Sequence, residues 1–153
     1  MSKPTQFFFV LLAVAVSLFL FHTPCKSMSL DAVKPFATKI RIVSNHEEVV
    51  ILLYDSPVSR DFVSLLPLSV TFRDYAGEEK IADLPRKLTT QGGLSGDEVE
   101  GDFAYYAPWG NMAAFYTGFG QGSGLHILGR IESGKEWLAG QKRDFSARIE
   151  TFE

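Results

Sequence analysis

Segments in which apolar and polar residues alternate recur from residue 39 to the end of the chain, and this period of two constrains the fold most strongly. In residues 68–75, for example, Leu68, Val70 and Phe72 alternate with hydroxyl or charged side chains. Successive side chains of a β-strand point to opposite faces, so alternation is typical of a strand with one buried face. The chain is therefore expected to fold mainly into short strands.

Eight segments carry a strand signal, either as alternation or as a β-branched apolar run bounded by turn residues. We predict strands at residues 39–43, 48–54, 68–75, 80–84, 103–107, 112–116, 125–131 and 145–152. Residues 108–111 predict a tight turn, and residues 91–101, rich in Gly, Ser, Asp and Glu, predict an exposed loop. Residues 134–140 predict a turn or a short helix.

One segment, residues 56–66, has helical periodicity instead. Ser56 can cap the helix, Pro57 suits its first position, and Pro67 ends it. Apolar side chains between these residues recur at helical spacing on one side. Seven or eight short strands and one capping helix, without a regular alternation of strands and helices, predict a mainly β fold. We expect a closed or nearly closed antiparallel β-barrel.

The N-terminus differs in composition from the rest of the chain. Lys3 precedes an apolar run over residues 7–21 in which only Ser17 is polar, which is typical of a secretory signal peptide. We predict a signal peptide at residues 1–27, a linker at residues 28–38 and a barrel domain at residues 39–153. This organisation predicts export to the periplasm or to the extracellular space.

Two other fates of the N-terminus stay open. The apolar run could act as an uncleaved membrane anchor, although it is shorter than the ~20 residues of a membrane-spanning helix. Cys25 could carry a lipid as a new N-terminus, although His22 and Pro24 stand where a lipoprotein signal has small or aliphatic residues. An anchor or a lipidated Cys25 would attach the domain to a membrane.

The composition disfavours several classes of function. No cysteine follows Cys25, so an exported domain would depend on its apolar core rather than on disulfides. Removal of residues 1–27 would remove two lysines and no acid, which leaves 13 basic and 18 acidic residues and a net charge of −5. Without a basic cluster, nucleic-acid binding is disfavoured. A single histidine on the predicted strand 125–131 predicts no metal site, and we predict no cofactor.

Four segments carry a resemblance to a known fold. Residues 49–65 resemble the part of cyclophilins in which a strand runs into a helix that starts with proline. Residues 84–88, 105–116 and 128–134 are similar to a bacterial group of small proteins with a cyclophilin-like fold. The resemblance implies a cyclophilin-like β-barrel without a settled activity. Some relatives are joined to flavodoxin-like domains, which implies a redox partner.

The chain departs from true cyclophilins at the motifs that carry their activity. Phe72-Arg73 lacks the histidine of the cyclophilin Phe-His-Arg stretch, and residues 111–116 lack the glutamine of the Asn-Gly-Ser-Gln-Phe-Phe strand. Residues 137–142 match the Trp-Leu-Asp-Gly-Lys-His segment only faintly. A prolyl isomerase needs an apolar pocket and a donor to the proline nitrogen as amide resonance is lost. Catalytic residues are therefore not assigned.

Two groups of residues are candidates for ligand binding. His126 and Arg130 are four residues apart on one predicted strand, so alternation places them on one side, either at the mouth of a pocket or facing solvent. Aromatic residues around Trp109 either line a groove or pack in the core. The Gly-rich residues 118–124 lack the lysine and the following helix of a phosphate-binding loop. The predicted ligand-binding residues are Arg73, Tyr105, Trp109, Asn111, Met112, Phe115, His126 and Arg130.

Three functions follow as hypotheses. The first is a non-catalytic domain that binds a peptide or a small ligand in an aromatic groove. The second, which rests on fold resemblance alone, is a weak peptidyl-prolyl isomerase with Arg73 or Arg130 as the donor. The third is an accessory to a flavodoxin-like redox protein. The identity of the ligand and the oligomeric state stay open.

Overall fold

A computed structural model describes residues 35–96, 99–117 and 123–152. The predicted signal peptide, Cys25 and residues 28–34 of the predicted linker lie outside the described residues. None of the helices in the described part of the chain is long and apolar enough to cross a lipid bilayer.

Nine strands and two short helices form in the described residues. In chain order they are β1 (Pro35–Ser44), β2 (Glu47–Tyr54), α1 (Pro57–Val63), β3 (Leu68–Tyr75), β4 (Glu79–Asp83), β5 (Leu94–Ser95), β6 (Asp102–Tyr106), β7 (Asn111–Phe115), β8 (Leu125–Ser133), α2 (Lys135–Gly140) and β9 (Phe145–Thr151). Each of the eight predicted strands is present, and most of their ends shift by one or two residues.

Eight of these strands close into an antiparallel barrel. Hydrogen-bonded neighbours follow the order β2-β1-β9-β3-β4-β7-β6-β8, and β8 pairs with β2 to complete the ring. Closure pairs the strand edges that an open sheet would leave exposed. The short strand β5 pairs with β8 beside the ring. The prediction of a closed antiparallel barrel is confirmed.

Two strands differ from the prediction because their pairing partners are distant in sequence. β1 begins inside the predicted linker, since Pro35 already pairs with Tyr54 of β2. β5 lies within the predicted loop of residues 91–101, since Leu94 and Ser95 pair with β8. A strand of two residues carries no periodicity, so the sequence pattern could not reveal it.

Helix α1 covers the barrel interior as predicted. The side chain of Ser56 caps the helix by accepting a hydrogen bond from a backbone N–H one turn later at 3.1 Å. Regular helix ends at Val63, and tighter turns follow it where the prediction extended the helix to residue 66. Phe62 is fully buried, and its ring centroid lies 5.5 Å from that of Phe103.

Within residues 134–140, predicted as a turn or a short helix, Lys135–Gly140 form α2. Gly134 precedes the helix as its N-cap residue, with a φ of 86°. A Cβ at this position would lie 2.6 Å from the carbonyl oxygen of Glu48, so both the conformation and the space require glycine. Trp137 of α2 packs edge-on against Phe145, with 5.1 Å between the ring centroids.

A buried polar cluster lies where α2 meets the barrel. Lys80 is 1% exposed, and its Nζ donates to the carbonyl of Gln141 at 2.5 Å and forms an ion pair with Asp74. The hydroxyl of Tyr116 donates to the same Asp74 carboxylate at 2.6 Å. Burial, followed by this hydrogen bond, raises the pKa of Tyr116 to about 12. The carboxylate satisfies two buried donors at once.

Candidate functional site

Strands β6 and β7 have two faces with different packing. Phe103 pairs with Ala114, and Tyr105 pairs with Met112; these side chains belong to the large cluster inside the barrel, and we call this the inner face. The next residues along each strand point the other way, and we call this the outer face. Because a barrel strand alternates between interior and exterior, these residues point away from the barrel interior.

A second apolar cluster lies on the outer face, and we call it the outer cluster. Its buried members are Ile81, Ala104, Ala113, Phe115, Leu125 and Ile127. Tyr54 and Tyr106, which are partly buried, pack against it. Most surface strands have polar outward residues, so a buried apolar cluster on this side marks the outer face as unusual.

Three aromatic rings cross the outer face. The ring of Trp109 meets that of Tyr75 at 5.6 Å and that of Tyr106 at 5.4 Å, both in edge-to-face geometry. Tyr75 ends β3 and Tyr106 ends β6, and the barrel order places β4 and β7 between these strands. The Trp109 ring therefore lies across the two intervening strands. We call these three rings the aromatic bridge.

Polar groups flank the aromatic bridge. Arg73 lies on the outer face of β3, and its Nη1 donates to Asp83 of β4 at 3.0 Å. Asp83 and Tyr106 are the two cross-strand partners of Asn111. Asn111 is 1% exposed, and its side-chain oxygen has no hydrogen-bond partner in the described structure. An unpaired buried carbonyl is an acceptor for a donor from a ligand or water.

A β-bulge separates the two candidate residues of β8. Phe103 pairs with Gly129 and Ala104 pairs with Ile127, so Leu128 is the extra residue on β8. His126 pairs with inner-face residue Tyr105, whereas Arg130 pairs with Asp102 on the outer side. The prediction that His126 and Arg130 share one side is therefore wrong, because one unpaired residue reverses the alternation after it.

Arg130 forms an ion pair with a buried carboxylate at the far end of the outer face. Its Nη1 donates to Asp102, which is 1% exposed, at 2.8 Å. Burial raises the pKa of Asp102, and the backbone N–H of Val99 and the charge of Arg130 partly oppose that shift. Tyr54 packs on the outer cluster. Burial raises the pKa of its hydroxyl, and the nearby charge of Arg130 partly opposes that shift.

His126 lies on the inner side, where it faces Tyr105 at 6.4 Å between ring centroids. Its Nδ1 is buried without a hydrogen-bond partner, and burial lowers the pKa of His126. A Cβ at Gly93 would lie 2.8 Å from this Nδ1, so the loop before β5 closes tightly over the imidazole. His126 is therefore a packed side chain rather than part of an outer-face site.

The structure divides the eight predicted ligand-binding residues between two sides of the barrel wall. The outer side or its rim holds Arg73, Trp109, Asn111, Phe115 and Arg130, whereas the inner side holds Tyr105, Met112 and His126. A single groove lined by all eight does not form. Tyr105 and Met112 are fully buried, and the Tyr105 hydroxyl accepts a hydrogen bond from the Leu88 backbone N–H at 3.1 Å.

Sequence reasoning missed four contributors to the outer face. Tyr75, Asp83, Tyr54 and Asp102 join it through cross-strand neighbours. Alternation from Arg73 to Tyr75 was a signal for one of them. The described residues contain no group of three or more His, Cys, Asp or Glu side chains arranged to hold a metal ion.

Comparison with known proteins supports the fold described above. The model of the cyclophilin-like family matches residues 42–150. The chain belongs to the cyclophilin-like family. A solution structure of a hypothetical protein from Archaeoglobus fulgidus aligns with a TM-score of 0.55 at 23% sequence identity, over 76% of this chain and 96% of that chain. At this identity the similarity concerns the fold alone. No curated protein matches the chain.

Proposed function

We propose that this cyclophilin-like protein is an exported domain whose outer face binds a peptide or a small ligand without catalysis. The aromatic bridge is the observation that carries the proposal. Trp109 is 56% exposed and Tyr75 is 44% exposed, although both rings belong to an ordered edge-to-face assembly. Exposed aromatic surface beside a polar rim is typical of binding sites.

The polar groups next to the aromatic bridge favour binding over catalysis. Both terminal nitrogens of Arg73 donate to Asp83, at 3.0 and 3.4 Å. The fork of this guanidinium is therefore directed at a carboxylate of the protein itself. The side-chain oxygen of Asn111 also lies beside the bridge without a partner, and because it is buried, a donor of a bound peptide would reach it through a water.

Peptide titration of the full-length protein tests this proposal. We expect a peptide library to contain ligands that shift the backbone amide resonances of β3, β4, β6 and β7. Trp109→Ala should weaken these ligands at least tenfold, because it removes the central ring of the aromatic bridge. Trp137→Phe, a substitution of the tryptophan on α2, should leave the affinity unchanged. Absence of any shift across the library would contradict the proposal.

A second candidate, a weak prolyl isomerase, is supported by one observation. Arg73 pairs across β3 and β4 with Ile81, a member of the outer cluster, so an arginine stands beside apolar surface. A protease-coupled assay with a prolyl peptide measures this activity directly. A rate above background that disappears in Arg73→Ala would favour catalysis. Association with a flavodoxin-like redox protein stays a prediction.

Export is a separate part of the proposal and has its own test. Its support is the apolar run at residues 7–21 after Lys3. Fractionation of bacterial cells that produce the full-length chain should recover a shortened protein outside the cytoplasm. Cys25→Ser should not change that result if cleavage follows residue 27. Recovery of the uncleaved chain in the cytoplasm would contradict export.

A further inference from the structure

We propose that the ligand of the outer face is an extended peptide with a free C-terminus, whose carboxylate binds Arg130 while an earlier side chain packs on Trp109. The inference rests on the proposed function, because it names the class of ligand for the same face. Three observations carry it: the way in which Arg130 is held, the chemistry beside it, and the distance to the aromatic bridge.

The protein holds the guanidinium of Arg130 from one side. Nη1 donates to Asp102 at 2.8 Å, and Nη2 donates to the backbone carbonyl of Glu100 at 3.0 Å. Gly101 leaves room for this arrangement, since a Cβ there would approach Nη2 to 3.2 Å. A guanidinium has five N–H donors, so these two contacts and the interaction with the Tyr54 hydroxyl leave others for a ligand. The side chain is 45% exposed, and solvent can reach it.

A carboxylate fits this position best. Arginine binds carboxylates through two parallel, charge-assisted hydrogen bonds, and the geometry of its planar fork suits them. Asp102 is 1% exposed, so it orients the guanidinium from behind and does not occupy the solvent side. The Tyr54 hydroxyl lies beside this guanidinium, which partly opposes the rise in the Tyr54 pKa that burial causes.

The distance between Arg130 and Trp109 favours a peptide over a small carboxylate as the ligand. Tyr106 contacts Trp109, and Asp102 pairs with Arg130, so β6 joins the two ends of the outer face. Residues 102 and 106 of a strand are separated by about 13 Å. An extended peptide covers this distance with about four residues. Because Asp102 and Ala104 are at most 1% exposed, such a ligand contacts the two exposed ends, Arg130 and Trp109, and does not pack on the β6 side chains between them.

Calorimetric titration of the full-length protein with N-acetyl-Phe-Ala-Ala-Ala, as the free acid and as the C-terminal amide, tests the inference. We expect the acid to bind at least tenfold more tightly than the amide. Arg130→Lys keeps a cation opposite Asp102 but loses the planar fork, and it should reduce the difference to less than threefold. Trp109→Ala should weaken both peptides by a similar factor.

Arg143→Lys, the same substitution at an exposed arginine, is the matched control and should preserve the preference for the acid. Circular dichroism of each variant verifies that it folds. Equal affinity of the acid and the amide for the wild-type protein, with binding lost in Trp109→Ala, overturns the inference and leaves the proposed function standing. An unchanged preference in Arg130→Lys also overturns it. Failure of both peptides, together with the whole library, overturns both proposals.

Discussion

The inner and outer faces of β6 and β7 belong to the same two strands but pack in opposite ways. On the inner face, the large side chains Phe103, Tyr105 and Met112 are fully buried and fill the barrel. On the outer face, the same strands contribute the small side chains Ala104 and Ala113. The rings on that side come from strand ends and from the turn between β6 and β7.

This difference indicates how the barrel would separate stability from the proposed binding. A face filled by its own large side chains buries apolar area and stabilises the fold. The small side chains of Ala104 and Ala113 leave room for the aromatic bridge, which is assembled from Tyr75, Tyr106 and Trp109 and stays partly exposed. We therefore expect substitutions in the aromatic bridge to have little effect on the core.

The largest expected effect compares the two faces directly. Phe103→Ala empties a fully buried site next to Phe62 and should lower the free energy of unfolding by about 3–5 kcal/mol. Trp109→Ala, at a residue that is 56% exposed, should cost less than about 1 kcal/mol. Urea denaturation of both variants measures the difference. Similar losses would remove the distinction between the faces.

A second comparison concerns the two partners of the buried ion pair. Asp74→Ala leaves the ammonium of Lys80, which is 1% exposed, without its carboxylate and should cost about 3 kcal/mol. Lys80→Met should cost about 1 kcal/mol, because Asp74 is 37% exposed and can be hydrated by solvent. Thermal and urea unfolding report both values. A larger loss of stability for Lys80→Met than for Asp74→Ala would contradict this prediction.

The pH dependence of stability tests the role of Tyr116 in the buried polar cluster with Asp74 and Lys80. Tyr116 has its pKa raised to about 12 in the folded protein, so between pH 10 and 12 the folded state keeps a proton that the unfolded state loses. Stability is present below pH 10 and decreases as pH rises through this range, by about 3 kcal/mol. Tyr116→Phe should show a shallower decrease in alkaline denaturation curves. The same decrease in the wild type and in Tyr116→Phe would show that Tyr116 is not the group responsible.

The smallest expected effect lies on the outer face. Arg73 and Asp83 form an ion pair in which the side chains are 43% and 68% exposed. Because solvent screens such pairs, Arg73→Ala should lower the free energy of unfolding by less than about 1 kcal/mol. Denaturation at low and at high salt measures this change and its screening. A loss as large as that of Phe103→Ala would give the outer face a structural role.

The fold could be predicted from the sequence because its signals are local. Alternation or a β-branched apolar run located each barrel strand, and Ser56 with Pro57 located the start of α1. The candidate site could be predicted only in part. Trp109, Arg73 and Asn111 were identified by residue type and do lie around the aromatic bridge, whereas the partner rings depend on strand order.

His126 and Arg130 show most clearly why the rest was missed. Their spacing predicts a shared side only if the strand is regular. The bulge at Leu128 reverses the alternation, and Gly129 permits the close approach of β2 there, since a Cβ would lie 2.3 Å from the Leu52 carbonyl oxygen. No pattern within β8 specifies which residue the neighbouring strand leaves unpaired.

The sequence by itself determined the number of barrel strands, their order along the chain, and which residues of a regular strand alternate between the two faces. These properties follow from the period of side chains along a strand and from the residues that start and end elements. Only the tertiary structure decided that β4 and β7 lie between β3 and β6, that Trp109 crosses them, and that Asp102 holds Arg130. The physical reason is that pairing partners and register depend on contacts between residues far apart in the chain.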